Sequence, residues 1–227
     1  MSTPVLLVHG FASSYELEWR QPGWVELLRD AGRDVIGVDL LGHGTSEKPH
    51  EPAAYAHLEM HIVAQLPPEP VDAVGFSLGG MCVLRLASAH PERFRRIVIG
   101  GVGERSLQHN NPEETAKAIE AVATGQEFGE ADTLGRAFQQ FAKNPANDPL
   151  ALAACLRRND PPLTLAELAR VTATTLFVVG DRDFVGSSEP LAAAMPAARV
   201  KVLKGVDHFG TPKHFGFIDA VLGFIDA

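Results

Sequence analysis

The pentapeptide G-F-S-L-G at positions 75–79 constrains this chain more than any other stretch. It lies between an apolar run at 71–74 and a helix-like segment at 80–89. In a G-x-S-x-G pattern the serine occupies a sharp strand-to-helix turn, because only small flanking residues tolerate its crowded backbone. The turn exposes the hydroxyl at the end of a sheet, and the N–H of Leu78 points toward any oxygen bound beside it. The pattern predicts a nucleophile at Ser77, against the alternative of a simple glycine-rich turn.

The composition is that of a globular protein. The chain has 227 residues, 45% hydrophobic and 21% charged, with a mean hydropathy of +0.01, which fits one domain with an insertion. A formal charge of −8 and scattered lysines and arginines argue against nucleic acid as a partner. We find no signal peptide and no apolar stretch of membrane-spanning length, so we expect a cytoplasmic protein with no membrane partner. Cys82 and Cys155 form neither a disulfide framework nor a zinc ligand set.

Short β-rich runs alternate with amphipathic segments along most of the chain, which predicts a parallel sheet covered by helices on both faces. The predicted strands are 5–8, 35–38, 71–74, 96–100, 174–179 and 199–203. The predicted helices between and after them are 24–31, 53–66, 80–89, 188–195 and a last one from Thr211-Pro212 to about 225. A loop carrying Ser13, Ser14, Tyr15 and Trp19 is expected before the first helix.

Between the fourth and fifth strands the pattern becomes wholly helical. Four helices are predicted, namely 112–124 behind Asn111, 133–143 behind Asp132, 149–158 behind Asp148 and 165–171 behind Thr164. An insertion at this place would cover the carboxyl edge of the sheet, where ligands of open α/β proteins bind. We therefore expect a core domain made of 1–102 and 172–227 and a helical cap made of 103–171.

Several short motifs follow the predicted strands in a fixed order. They are His9-Gly10-Phe11, the loop 39–46, G-F-S-L-G, Gly180-Asp181-Arg182-Asp183 and Val206-Asp207-His208. With its serine, acid and histidine in that order, the chain resembles members of the α/β-hydrolase superfamily, in particular the small serine esterases and cofactor-free haloperoxidases. The family usually has two strands before its His-Gly loop, which begins here at His9. The resemblance therefore implies a six-stranded, mostly parallel and doubly wound sheet with strand 35–38 at an edge.

His208 is the candidate base for the serine. A serine hydroxyl is a weak nucleophile at neutral pH, and an imidazole can take its proton and return it. Of the nine histidines, His208 alone follows the last predicted strand in a loop. His9 and His43 lie in glycine-flanked loops and are expected to hold backbone in place. The remaining expected surface or cap histidines are His50, His90, His109 and His214.

A metal site is not expected. His57 and His61 have the spacing of a zinc-protease pair on one helix face, but Leu58 stands where such a motif has its glutamate. No third ligand is evident in the sequence.

An acid must hold the imidazole in the correct tautomer, and two aspartates compete for this role. In the resembling family the strand is followed by glycine, two variable residues and then the acid, which implies Asp183. Asp181 lies between Gly180 and Arg182 and could instead accept a turn hydrogen bond. The resemblance also implies that the N–H groups of Phe11 and Leu78 form an oxyanion hole.

The expected substrate-binding residues are Phe138, Phe141, Phe184 and Phe209. Leu134, Phe138 and Phe141 lie near helical spacing in the insertion. Ordinary packing of a cap helix is the alternative explanation for those in the insertion. The resemblance implies a serine hydrolase that cleaves small carboxylic esters through an acyl-enzyme, with no metal or organic cofactor. Related activities that use the same triad are perhydrolysis, thioester or lactone hydrolysis and carbon–carbon bond hydrolysis. A small-molecule receptor on a hydrolase scaffold is a hypothesis of another class, and the oligomeric state stays open.

Overall fold

A six-stranded parallel sheet forms the centre of the molecule. The computed structural model describes residues 2–109, 111–125 and 133–226. The strands are β1 (Val5–Val8), β2 (Val35–Val38), β3 (Val71–Phe76), β4 (Phe94–Gly100), β5 (Thr174–Gly180) and β6 (Ala198–Leu203). Their order is β2-β1-β3-β4-β5-β6, and every neighbouring pair is parallel. β2 lies at an edge, as the resemblance implied.

Helices cover both faces of this sheet. The α-helices are α1 (Trp24–Asp30), α2 (Met60–Val63), α3 (Leu78–Ala89), α4 (Glu113–Thr124), α5 (Thr133–Ala142), α6 (Pro149–Leu156), α7 (Leu165–Leu168), α8 (Glu189–Ala193) and α9 (Phe215–Ile225). Apolar side chains of α1 and α9 pack on one face, and those of α2, α3 and α8 pack on the other. Helices on both faces of a parallel sheet make the fold doubly wound.

The central strand β1 shows why the sequence predicted this layering. Val5 and Leu7 belong to the apolar cluster that contains α1 and α9, whereas Leu6 and Val8 belong to the cluster on the opposite face. All four side chains are fully buried. A strand covered on both faces reads as a continuous apolar run rather than as an alternation, because successive side chains point to opposite faces.

The insertion between β4 and β5 is helical, and no strand occurs in the part of 103–171 that the structure describes. Asp148 caps α6 through its carboxylate, and Thr164 and Glu167 form a capping box at α7. The expected cap Asp132 lies outside the described residues. Residues of α4, α5 and α6 share a small apolar core that also contains Ala12.

The predicted helix at 53–66 was wrong. The chain forms a short 3₁₀ turn at Pro52–Tyr55 and then the four-residue α2. Between them His57 has a φ of 55°, a left-handed conformation that interrupts a right-handed helix. Tyr55 is buried and donates its hydroxyl to the Pro49 carbonyl at 2.6 Å, which ties the segment into a turn. His57 and His61 consequently do not share a helix face.

Several other boundaries differ from the prediction by a few residues, and at two places a separate turn forms. The expected loop before α1 contains a π-helical turn, Glu16–Arg20, anchored by the buried Trp19. The last helix begins at Phe215 rather than at Thr211, because Thr211–Lys213 forms a separate 3₁₀ turn. His214 caps α9 by accepting the N–H of Gly216. Among the described residues, no helix combines the length and the apolar character that a membrane crossing requires.

Candidate active site

Ser77 occupies a strained turn between β3 and α3. Its backbone has φ 49° and ψ −114°, values that are rare for a residue with a side chain. The flanking glycines are required by close backbone approaches. A Cβ on Gly75 would lie 2.8 Å from the Gly79 carbonyl oxygen, and one on Gly79 would lie 2.4 Å from that of Val8. The G-x-S-x-G pattern thus lets β1 and the start of α3 meet directly beside the serine.

The structure brings Ser77, His208 and Asp183 into one hydrogen-bonded chain. His208 Nε2 lies 3.0 Å from Ser77 Oγ, and its Nδ1 lies 2.9 and 3.0 Å from the two carboxylate oxygens of Asp183. Because a carboxylate only accepts, Nδ1 carries the proton and Nε2 is free to accept the serine O–H. The side chains of His208 and Asp183 are buried, and the rings of Phe76 and Phe184 lie against the imidazole.

The two competing aspartates have different surroundings. Asp183 also accepts the N–H of Val185 at 3.0 Å, which fixes its carboxylate beside the imidazole. Asp181 is exposed and accepts the N–H of Gly205 at 2.7 Å. The histidine therefore meets Asp183, while Asp181 closes a turn.

The two expected oxyanion donors belong to the loop after β1 and to the start of α3. The N–H of Leu78 is the first in α3, and the first N–H groups of a helix have no acceptor within the helix. The N–H of Phe11 belongs to the peptide unit whose carbonyl, that of Gly10, accepts His9 Nδ1 at 2.7 Å. In a trans peptide the C=O and N–H point in opposite directions, so this bond sets the direction of the Phe11 N–H.

His9 and His43 hold backbone, as expected. His9 Nε2 accepts the N–H of Leu40 at 3.1 Å, so its proton must be on Nδ1. His43 Nδ1 donates to the Leu41 carbonyl at 3.0 Å. Burial is the main cause that lowers the pKa of both imidazoles, that of His43 to about 3. Both rings are therefore neutral at pH 7 and support the loops around the site without carrying charge.

Two adjoining cavities open at Ser77, with volumes of about 600 and 360 Å³. Phe11 and Phe138 line both of them. The larger also contains Phe141, Phe209, His208 and the polar side chains Glu18, Gln21, Asn144 and Lys213, whereas the smaller contains Leu134, Phe184, Met81 and Leu156. All four phenylalanines expected to bind substrate therefore lie at the cavity walls, three of them in mutual ring contact.

A family model described as alpha/beta hydrolase fold matches residues 3–131. The chain belongs to the alpha/beta hydrolase family. Two curated relatives are similar to it. A 2-hydroxymuconate semialdehyde hydrolase of Pseudomonas sp. strain CF600 is 32% identical over 155 residues, covering 65% of this chain and 51% of the relative. A pimeloyl-[acyl-carrier protein] methyl ester esterase of Chromobacterium violaceum is 33% identical over 182 residues, covering 71% of each.

The chain spans about half the length of the first of these relatives. Among solved structures, a bromoperoxidase from Bacillus anthracis has the same fold, with a TM-score of 0.72 and 24% identity, covering 100% of this chain and 93% of that chain.

Glu18 lines the larger cavity, and sequence reasoning missed it. Its carboxyl oxygens lie 3.1 and 3.2 Å from the N–H of Gly10, one residue before the expected oxyanion donor Phe11. Burial raises the pKa of this carboxyl to about 8. The sequence offers only an acidic residue between Glu16 and Arg20, and its contact with Gly10 depends on the unexpected π-helical turn.

The described part of the chain holds no group of three or more His, Cys, Asp or Glu side chains arranged to bind a metal ion. Cys82 and Cys155 are free, buried thiols. Burial raises the pKa of both, that of Cys155 to about 11, so neither is a thiolate at neutral pH.

Proposed function

We propose that this hydrolase cleaves small carboxylic esters with Ser77 as the nucleophile. The observation that carries the proposal is the hydrogen-bonded chain from Ser77 Oγ through His208 to Asp183, with contacts of 2.9 to 3.0 Å. These distances lie within the range over which a base removes a proton from a hydroxyl. Ser77 lies where the two cavities meet, and both halves of an ester have room there.

The reaction has two halves, each passing through a tetrahedral intermediate. Ser77 Oγ bonds to the ester carbonyl carbon while His208 Nε2 takes its proton, and the negative oxygen is bound by the N–H groups of Phe11 and Leu78. The bond to the alcohol oxygen then breaks, and His208 returns the proton to the departing alcohol. Water next loses a proton to His208 and attacks the acyl carbon, which frees the carboxylic acid and restores Ser77.

Asp183 supports these proton transfers from behind the imidazole. Its carboxylate keeps the proton on Nδ1 and stabilises the imidazolium that forms when Nε2 takes the serine proton. The adjacent Phe76 and Phe184 rings limit the access of water, which strengthens this electrostatic interaction.

The expected substrates are esters of small, uncharged acyl groups. Three phenylalanines and three leucines line the smaller cavity of about 360 Å³, whose volume limits chain length. Arg105 and Arg158 line it as well, and the charge of Arg158 is paired with Asp160 at 2.6 Å. The Chromobacterium relative is named a methyl ester esterase, which supports ester cleavage by this chain. The Pseudomonas relative is named for 2-hydroxymuconate semialdehyde, which makes this compound a second substrate to assay.

Activity-based labelling tests the proposal. Treatment with a fluorophosphonate should add the probe to the peptide that contains Ser77, and an excess of p-nitrophenyl acetate should slow the labelling. Across p-nitrophenyl esters from acetyl to palmitoyl, kcat/KM should be highest for the short acyl groups. An adduct on another residue would overturn the serine mechanism. Binding without turnover would favour a receptor, and a steady rise toward palmitoyl would replace the enclosed pocket with an open groove.

A further inference from the structure

We propose that Glu18 positions the loop His9-Gly10-Phe11, called here the oxyanion loop. We also propose that ionisation of Glu18 lowers the rate of ester hydrolysis at alkaline pH. This inference rests on the proposed function and concerns a residue outside the triad and outside the two expected oxyanion donors. Glu18 is a positioning residue in this proposal, because it acts through the backbone of Gly10 and not on the substrate itself.

Gly10 is held on both sides. Its N–H donates to the Glu18 carboxyl at 3.1 and 3.2 Å, and its carbonyl accepts His9 Nδ1 at 2.7 Å. A glycine has more backbone freedom than any other residue, so two such anchors restrict both peptide units that flank it. The second of these units carries the N–H of Phe11. Loss of the Glu18 anchor would therefore loosen the direction of that N–H.

The carboxyl packs closely against the loop as well as bonding to it. A Cβ on Gly10 would lie 3.5 Å from Glu18 Oε2 and 3.0 Å from the ring of Phe76. The same carboxyl lines the cavity that contains Ser77 and His208. Glu18 thus lies at the cavity wall next to the backbone of Gly10.

The protonation state of Glu18 decides whether that charge exists. Because burial raises its pKa to about 8, the carboxyl is neutral at pH 7 and its carbonyl oxygen still accepts the Gly10 N–H. Above pH 8 it becomes a carboxylate beside the place where the ester oxygen turns negative. Glu18 is half-buried and lines the cavity that contains Ser77, so its negative charge repels the forming oxyanion and the transition state rises in energy as Glu18 ionises.

The charged and polar groups around Glu18 come from several segments. Lys213, on the 3₁₀ turn before α9, favours the ionised form, and so does the hydroxyl of Ser13. Lys143 and His208 line the same cavity from two other segments. On the π-helical turn itself, Glu16 and Arg20 are exposed and pair with each other at 3.3 Å.

The test is the pH dependence of kcat from pH 6 to 10 on one p-nitrophenyl ester. The wild type should lose activity by about 25-fold between pH 7.5 and 9.5, as a single fully inhibitory ionisation near pH 8 requires. Glu18→Gln keeps an acceptor for Gly10 and cannot ionise, so its alkaline loss should disappear. Glu18→Ala removes the acceptor and should lower kcat roughly 10- to 100-fold at every pH with little change in KM, because oxyanion contacts act in the transition state.

Glu16→Gln, on the exposed side of the same turn, is the matched control and should reproduce the wild-type profile. If Glu18→Gln keeps the wild-type alkaline loss, the inference is wrong, and Glu18→Gln decides the case even if Glu18→Ala does not fold. Fluorophosphonate labelling separates this failure from failure of the proposed function. A Glu18→Gln variant that labels at Ser77 but keeps the wild-type pH profile contradicts only the role of Glu18. A wild-type protein that does not label contradicts the serine mechanism.

Discussion

The two ends of β3 each have a buried carboxylate nearby, and the two carboxylates have different partners. At the beginning of the strand, Asp72 is fully buried and bound by the guanidinium groups of Arg33 and Arg95. Arg95 Nε contacts one carboxylate oxygen at 2.9 Å, and Arg33 also donates to the carbonyl of Thr3. Beyond the other end, the carboxylate of Asp183 faces the imidazole of His208, which reaches Ser77.

The difference lies in the proton that each partner can exchange. A guanidinium stays protonated throughout the physiological range, so the Asp72 cluster has no proton to give or take and serves to join chain segments. An imidazole gains and loses a proton near neutral pH, so the cluster at the other end is suited to proton transfer. That end adjoins the two cavities that meet at Ser77. The comparison predicts that substitutions at one end change activity and that substitutions at the other change stability.

The largest effect is expected from Ser77→Ala. Removing one member of a triad costs roughly 10⁴ to 10⁶ in kcat, because the three residues act as a unit. The fold should persist, since alanine loses only a hydroxyl at this turn. Steady-state kinetics and a thermal melt of the same preparation check both statements. A folded variant with wild-type kcat would remove Ser77 from the mechanism.

Asp183→Asn should lower kcat by roughly 10⁴, since an amide favours the wrong histidine tautomer. Asp181→Asn is the matched control, because it replaces an exposed aspartate in the same loop. Both variants should melt within a few degrees of the wild type. A larger loss of kcat at Asp181 than at Asp183 would reverse the assignment of the acid.

Asp72→Asn should show the opposite pattern. Leaving two guanidinium groups without their buried carboxylate is expected to lower the free energy of unfolding by about 3–5 kcal/mol. The kcat of the folded fraction should stay within about threefold of the wild type. Urea unfolding measures the change in the free energy of unfolding. Asp219→Asn, which breaks an exposed pair with Lys201, is the control and should lower the free energy of unfolding by less than about 0.5 kcal/mol. If Asp72→Asn cost no more than Asp219→Asn, the role given to the buried cluster would be contradicted.

The smallest effect concerns acid stability. Burial lowers the pKa of His9 and His43 in the folded state, so between about pH 3 and 6.5 the unfolded chain binds more protons than the folded one. The free energy of unfolding should therefore fall as pH falls below 6.5, by up to about 1.4 kcal/mol per pH unit for each histidine. Urea unfolding at pH 5.0 to 7.0 should give a shallower slope for His43→Asn. An unchanged slope would show that His43 does not contribute.

The sequence predicted the sheet because most strands contain a short apolar run and each motif follows a strand. The same reasoning failed at 53–66, where a left-handed residue, His57, leaves no mark that a periodic pattern would detect. Periodicity reports which side chains face the core, and it does not report single backbone angles.

The candidate site also contains residues that the sequence predicts and one that it does not. Ser77 and His208 follow from local motifs and their order along the chain, and the structure places them 3.0 Å apart. The contact between Glu18 and Gly10 depends on the geometry of the intervening turn, so no spacing rule predicts it. Residues that act through tertiary contacts with backbone are the part of such a site that sequence reasoning misses.

The central claim is that Ser77 becomes acylated during turnover. The most direct measurement is rapid mixing with p-nitrophenyl acetate, acid quenching within the first turnover and mass spectrometry of the intact chain and its peptides. The account predicts one acetyl group on the peptide that contains Ser77, formed as fast as the burst of p-nitrophenol and absent from Ser77→Ala. An acetyl group on another residue, or a burst that persists in Ser77→Ala, would contradict it.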